Sequence, residues 1–443
     1  MKITILAIYG LVLITIGVYS AFRVKTPTDY FIAGKRNGIF KVAGSLLATI
    51  LGGSAILGTA NLTLHQGWAA VWYLLSASFG LWLLVPLVKK VSRHGKFTLA
   101  EMVGRFYGET ARKSASVIIP LAWTGIVAAQ IVAAAKVLFA LFGFPYEYGV
   151  IIAGTVFIGY TLLGGQMSIL KTDLYQAIII LAGIVICALF ISVKHEIHLK
   201  PVTDSFPFNP AFGPFDLLIL FLTFSSTFVV GPDIYSRVFC ARDEATARKS
   251  VIIVASVLIP FAFVLTYLGV VAGENLPADE LKGSVALIEL IGFYLPDWAV
   301  GLMAAALLSA VLSSADTTIL SAAIILSELT KKDIDNRKSL NLTRIFIALT
   351  GLVSMLIAIK ITSIIGMLLL ALAVYSGAFI VPLIAALTNM NVNKKMGVPA
   401  MVTGGAVALT GKILVDIVSL PWGNWVIAGA FLINFLLLKL RSR

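Results

Sequence analysis

The chain has 443 residues, 59% of them hydrophobic and only 12% charged, with a formal net charge of +13. Soluble domains carry about a quarter charged residues, so this composition excludes a soluble enzyme, and recurrent apolar runs of about 20 residues exclude a transmembrane β-barrel, whose segments are short and alternating. The Lys and Arg lie in short clusters between the runs, which points to membrane topology and anionic lipid rather than to nucleic acid as a partner.

Apolar windows predict helices over 4–21, 40–62, 69–88, 115–141, 147–163, 170–192, 216–236, 250–272, 295–327, 342–360, 363–388, 398–416 and 423–440, about thirteen spans. The first has little positive charge ahead of it and no small-residue cleavage site, so it is expected to be a retained helix. The connections alternate in charge. Arg23, Lys25, Lys35 and Arg36 follow the first helix, and none follows the second, around His65 and Gln66. Lys89 to Lys113 form the next basic stretch, and "FGFPYEYG" holds no Lys or Arg. Arg237, Arg242, Arg248 and Lys249 make another cluster, "ENLPADELKG" is acidic, Lys331 to Lys338 are basic, and the tail ends "KLRSR". The positive-inside rule then puts the N-terminus outside and the C-terminus in the cytoplasm. An odd helix count, read independently, agrees.

Cys187 and Cys240 fall in or beside predicted spans and support neither a disulfide framework nor a metal motif. No GxxxxGK[ST] appears, so ATP-driven transport by this chain is not expected. An intramembrane transferase would need clustered His or carboxylates, and His65, His94, His195 and His198 fall on loops without metal spacing. No enzymatic activity is expected.

The segment Leu307–Leu326, "LLSAVLSSADTTILSAAIIL", is apolar enough for lipid yet holds Ser309, Ser313, Ser314, Asp316, Thr317, Thr318 and Ser321. An aspartate near the bilayer centre costs roughly 2.5–3.5 kcal/mol on insertion scales. On a helix, Ala310, Ser313, Ser314 and Thr317 stand at i, i+3, i+4 and i+7 and form one stripe, with Asp316 at its edge. Two hydroxyls and a carbonyl with a spare lone pair make an uncharged, oxygen-lined half-site suited to a hard monovalent cation. Close helix packing by small residues is the competing account.

A second wall is offered by "LLATILGGSAILGTA" (46–60), where Gly52 and Gly53 fall mid-span. Glycines there let a helix unwind and free carbonyls such as those of Ala48 and Leu51. A third polar island, "GGQMSILKTDLYQ" (164–176), brings Asp173 and Gln176 to the start of an apolar helix. Both carboxylates, Asp173 and Asp316, are expected toward the cytoplasmic half.

The ordered motifs "DYFIAGK", "ATILGGSAILG", "FTLAEMVGRFYG", "AAQIVAAAKVL", "GGQMSILKTDLYQ", "GPDIYSRVFCARDEATARKS", "SSADTT" and "YSGAFIVPLIAAL" resemble the sodium:solute symporter family, which includes sodium/proline, sodium/pantothenate and sodium/glucose carriers. The resemblance covers nearly the whole chain. It implies one membrane transporter domain, all-α, of the leucine-transporter type: a leading helix and loop (1–39), inverted five-helix repeats over 40–192 and 216–388, and two trailing helices (389–443). It implies a sodium site from the carbonyls of Ala48, Leu51 and Ala310 and the hydroxyls of Ser313 and Ser314. Some members hold a second cation deeper, which here would use Asp173, with Ser313, Asp316 and Thr317 as helix partners; the same carboxylates could instead carry a proton.

The chain departs from the family at the solute end. Ile50 stands where proline-type carriers have an acidic residue, and Ser54 and Ala55 replace the sugar carriers' Glu-Gln pair, which argues against a hexose. Ser54, Gln130, Thr223, Ser226 and Tyr375 remain as a sparse polar set for a small, partly apolar solute, an amino acid or small organic acid. The expected function is sodium-coupled symport by alternating access in a prokaryotic plasma membrane, with sodium as the coupling ion, lipid around it and no obligatory protein partner. Proton coupling through Asp173 and Asp316, and a sodium/sugar carrier, are the rivals. With no kinase module after Arg443, a sensor is not expected.

Overall fold

Glycine and proline punctuate the apolar runs and decide where helices bend, so the spans do not all become single rods. A computed structural model describes residues 2–22, 24–277, 281, 285–329, 337–420 and 422–440. The helices are α1 (Lys2–Ala21), α2 (Pro27–Ile32), α3 (Ile39–Ile50), α4 (Gly53–Gln66), α5 (Val71–Leu84), α6 (Val88–His94), α7 (Leu99–Tyr107), α8 (Glu109–Phe142), α9 (Tyr146–Lys194), α10 (Pro214–Leu220), α11 (Ser226–Val229), α12 (Pro232–Cys240), α13 (Glu244–Asn275), α14 (Ala286–Tyr294), α15 (Asp297–Ser327), α16 (Arg337–Lys360), α17 (Ile364–Leu387), α18 (Gly397–Asp416) and α19 (Gly423–Lys439). Among the described residues, ten helical stretches are long and apolar enough to cross a membrane, and extended pairing is limited to two isolated bridges, Asn37 with Ala241 and Asn209 with Phe212. This is a multi-pass membrane protein.

Two of the predicted spans are broken. The span 40–62 divides into α3 and α4 at Leu51 and Gly52, where Gly52 turns to an extended ψ of 167°. The span 216–236 is a relay of short pieces: α10 opens on Pro214, passes through a π-helical turn at Phe221–Ser225, continues as α11 and stops at Val230 and Gly231 before α12. A π turn holds one extra residue and rotates everything beyond it relative to a regular helix.

The predicted helices 147–163 and 170–192 form one long α9 that kinks at Gly165, with φ +52° and ψ −147°. This left-handed conformation favours glycine. A Cβ there would also strike the ring of Tyr30, at 2.7 Å.

The polar helix α15 lies at the centre of the bundle. It packs against α8, α9, α3 and α16, and Ala304–Leu307 and Ser309–Ile325 are buried without interruption. By contrast, α1 sits on the outside and leaves Ile8, Leu11, Ile14 and Val18 exposed for lipid. The hydroxyls and Asp316 of α15 therefore face other helices, which is the arrangement that makes intramembrane polar groups tolerable.

Candidate functional site

The break between α3 and α4 is pressed against α15. A Cβ at Gly52 would run into the Ser314 hydroxyl, and one at Gly53 would run into Val311, so only glycine lets the two backbones approach this closely. Ser314 Oγ donates to the carbonyl of Thr49 at 2.6 Å. The break also interrupts the helix ladder. Leu51 N donates back to Leu47 O and Ile56 N to Gly52 O, but neither the Ala48 nor the Leu51 carbonyl accepts a backbone hydrogen bond. Both residues are fully buried.

Two buried carbonyls without amide partners, facing a helix that carries Ala310, Ser313 and Ser314, fit a desolvated monovalent cation. Each oxygen loses solvation on burial and needs a positive partner in return. The donor set is neutral and all oxygen, which suits sodium. It lacks the carboxylates that calcium sites use.

The deeper position is different. Asp173 is fully buried and forms an ion pair with Arg237, Nη2 to Oδ2 at 3.1 Å, both side chains wholly shielded from solvent. Ser313 Oγ donates to Asp173 Oδ1 at 2.6 Å, and Ser45 Oγ donates to Oδ2. The guanidinium is held on every side: Nε donates to Ser45 Oγ at 2.9 Å, Nη1 to Ser236 Oγ at 3.1 Å, and Nη2 to Thr49 Oγ1 at 3.2 Å and to Thr317 Oγ1.

Sequence reading placed Arg237 in a basic cluster with Arg242, Arg248 and Lys249. It belongs instead to the buried core, while Arg248 and Lys249 are exposed. The available signal was position, because Arg237 lies between Ile234-Tyr235 and Val238-Phe239-Cys240, a short stretch of mostly apolar residues. Charge counting along a loop does not register depth.

Asp316 adjoins this pair through Thr317, whose hydroxyl also takes Arg237 Nη2. Thr317 Oγ1 reaches Asp316 Oδ1 at 3.4 Å, and the buried Oδ2 of Asp316 has no partner. Both amide atoms of fully buried Gln176 are likewise unpaired. Nearby, Ser309 Oγ donates to Tyr9 Oη at 2.6 Å, so α1, α9 and α15 enclose a polar island of their own.

Of the five expected solute residues, two line the central cavity. This cavity, about 60 Å³, is bounded by Ser54, Gln130, Trp123, Phe224, Thr227 and Phe228 among others. Gln130 Nε2 donates to Ser54 Oγ at 2.7 Å and Ser54 N donates to Gln130 Oε1 at 3.3 Å, joining α4 to α8.

The remaining three are not part of this cavity's lining. Thr223 Oγ1 donates to Ile219 O at 2.7 Å, Ser226 Oγ to Leu222 O, and Tyr375 Oη to Val230 O. Thr223 lines a separate cavity of about 290 Å³. For Ser226, which follows the π turn, the added residue changes the register of α11, and Thr227 and Phe228 line the cavity in its place. Periodicity read at 3.6 residues per turn could not find them. A wider cavity, about 1100 Å³, opens at the far end of α4 beside His65, Lys136 and Lys200.

Against known proteins, a sequence model of the sodium:solute symporter family matches residues 30–404. A putative sodium-dependent multivitamin transporter of Drosophila melanogaster is 29% identical over 195 residues, 42% of this chain and 32% of that protein. The uncharacterized symporter YwcA of Bacillus subtilis (strain 168) is 24% identical over 298 residues, 63% of this chain and 57% of that protein. The matches thus span about a third to a little over half of the length of these relatives. A solved structure of a Na+-coupled sialic acid symporter, substrate-bound and outward-open, superposes with a TM-score of 0.77 over 98% of this chain and 97% of that one, at 18% identity. Mhp1, a nucleobase-cation-symport-1 family transporter in a closed conformation with bromovinylhydantoin bound, gives 0.59 over 93% of each chain at 15% identity. At these identities the likeness is one of fold.

Proposed function

The chain belongs to the sodium:solute symporter family, and from that premise we propose that it carries a small organic solute across the membrane by sodium-coupled symport. The observation that carries the reading is the pair of buried, unpartnered carbonyls of Ala48 and Leu51 set against Ser314 by Gly52. Ala48, Leu51, Ala310, Ser313 and Ser314 would hold the ion. Ser314 gives up its bond to Thr49, or shares it, when the ion arrives. Because the ligands come from α3 and α15, sodium favours the arrangement in which the two helices are close, and so shifts the population of states that drives alternating access.

At the deeper position, we propose that Arg237 supplies as a fixed charge what a second sodium or a proton would otherwise bring. Its Nη2 already sits among Asp173, Thr49 and Thr317, so the coupling is to one sodium. A guanidinium does not deprotonate in proteins, so its charge favours the ionised form of Asp173.

The solute site lies around Ser54, Gln130 and Thr227, with Trp123, Phe224 and Phe228 as apolar walls. Three aromatic rings beside hydroxyls, the Gln130 amide and the Asp233 carboxylate suit a small, partly apolar molecule such as an amino acid or short organic acid. The helix breaks at Leu51–Gly52 and Val230–Gly231 fall in the first helix of each proposed half, 40–192 and 216–388, which supports inverted repeats. Dividing α9 at Gly165 and rejoining α3 to α4 supports thirteen spans, and the basic connections, kept inside, put the N-terminus outside.

Uptake into proteoliposomes, screened by solute class with sodium or potassium outside and with or without a proton gradient, tests the function. Accumulation that follows a sodium gradient is expected. Equal uptake in potassium, or uptake driven by a proton gradient alone, would overturn it.

A further inference from the structure

Where α1 ends, a cavity of about 570 Å³ lies between α1, α2, the start of α3 and α9. Phe22, Lys25, Asp29, Arg36, Lys41 and Lys171 line it. Its one carboxylate is already engaged. Asp29 Oδ1 accepts from Arg36 Nη2 at 3.0 Å, and Oδ2 accepts from the backbone amides of Lys25 at 3.3 Å and Thr26 at 3.2 Å. Four cationic side chains and one carboxylate line the cavity, a formal net of +3 among its lining residues. Lys171 is steadied by Ser20 Oγ at 3.4 Å and by the ring of Tyr19, 5.5 Å from its ammonium.

We propose that this groove binds the phosphate headgroup of an anionic membrane lipid and so ties α3 to α9. Three observations select a lipid over a free anion. First, the groove sits where hydrocarbon gives way to water: α1 exposes Leu11, Ile14 and Val18 along its length, Phe22 at its end is 82% exposed, and Lys25 follows three residues later. Second, Phe40, beside Lys41, is 80% exposed, which places a second apolar side chain at the same level. Third, positive charge serving topology alone needs no cavity, whereas here four segments enclose one. Basic pockets between helices at the membrane surface bind lipid headgroups by this chemistry.

The placement matters for the carrier. Lys41 lies on α3, which leads to Ala48 and Leu51, and Lys171 lies on α9, two residues before Asp173. The two helices touch at Gly44, where a Cβ would meet Leu174 Cδ1 at 2.7 Å and Leu174 Cα at 3.0 Å. A phosphate shared by Lys41 and Lys171 therefore clamps this close contact at its outer end.

The test uses the purified 443-residue chain in a neutral detergent. Dihexanoyl phosphatidylglycerol is expected to raise the apparent melting temperature by about 2–4 °C, and dihexanoyl phosphatidylcholine by none. The rise should vanish in Lys25→Gln/Lys41→Gln/Lys171→Gln, survive in the corresponding triple Lys→Arg variant, and survive in Arg248→Gln/Lys249→Gln. Equal stabilisation of the wild type and the triple Gln variant would overturn the site. Inorganic phosphate stabilising as strongly as phosphatidylglycerol would overturn the lipid as its source. A photoactivatable phosphatidylglycerol gives a readout on the unaltered protein, with labelling at peptides around Lys25, Lys41 and Lys171 expected and labelling only elsewhere contrary to the proposal.

Discussion

Arg237 and Asp173 meet 3.1 Å apart with no solvent access to either side chain. Removing one member of such a pair leaves an uncompensated buried charge, which costs about 3–5 kcal/mol, whereas removing both costs far less. Arg237→Gln and Asp173→Asn should each lower the melting temperature sharply, and the double variant should melt closer to the wild type than either single one. Additive losses would mean that the two residues act independently. If Arg237 stands in for a second ion, the sodium dependence of uptake in the wild type should have a Hill coefficient near one.

Ser313 and Ser314 are expected to act through their oxygens. Ser313→Ala and Ser314→Ala leave helix propensity intact or improved and remove one ligand each. A loss of about 1.4–2.8 kcal/mol of binding corresponds to roughly ten- to a hundredfold weaker sodium affinity. Sodium titrations of uptake or of thermal stability measure it. Unchanged affinity in both would leave these hydroxyls as packing groups.

The solute assignment separates residues that line the central cavity from those that do not. Gln130→Ala and Thr227→Val should raise the solute concentration for half-maximal uptake several-fold while leaving the sodium requirement nearly unchanged. Ser226→Ala and Tyr375→Phe should not change solute affinity, since neither residue lines the central cavity. Tyr375→Phe should cost stability, because it leaves the buried Val230 carbonyl without its donor.

Glu328, just beyond α15, gives the protein a pH dependence of its own. Burial pushes its carboxyl up from the ordinary 4.5 to about 8, against the hydrogen bond donated by Thr98 Oγ1 at 2.5 Å. The folded chain therefore keeps a proton that the unfolded chain releases. This contribution to stability is fully present below about pH 4.5 and declines as pH rises towards 8. Glu328→Gln keeps an acceptor for Thr98 and removes the titration. It should melt like the wild type at pH 4.5 and higher than the wild type at pH 8.

Much was legible from spacing alone. Runs of about 20 apolar residues announced the spans, the i, i+3, i+4, i+7 stripe put Ala310, Ser313, Ser314 and Thr317 on one face, and a Gly-Gly pair in mid-span marked the break at Leu51–Gly52. These are properties of one helix at a time, set by local geometry, so they need no knowledge of neighbours. The partner of Asp173 is not of that kind. It comes from 64 residues further along, on a long side chain whose direction is set by α12 folding back after the break at Gly231. Nor could spacing have placed Thr227 ahead of Ser226, because a π turn changes the rotation of the chain through backbone hydrogen bonds that the bundle imposes. The residues determined which faces are polar; packing of distant helices decided which of those faces meet.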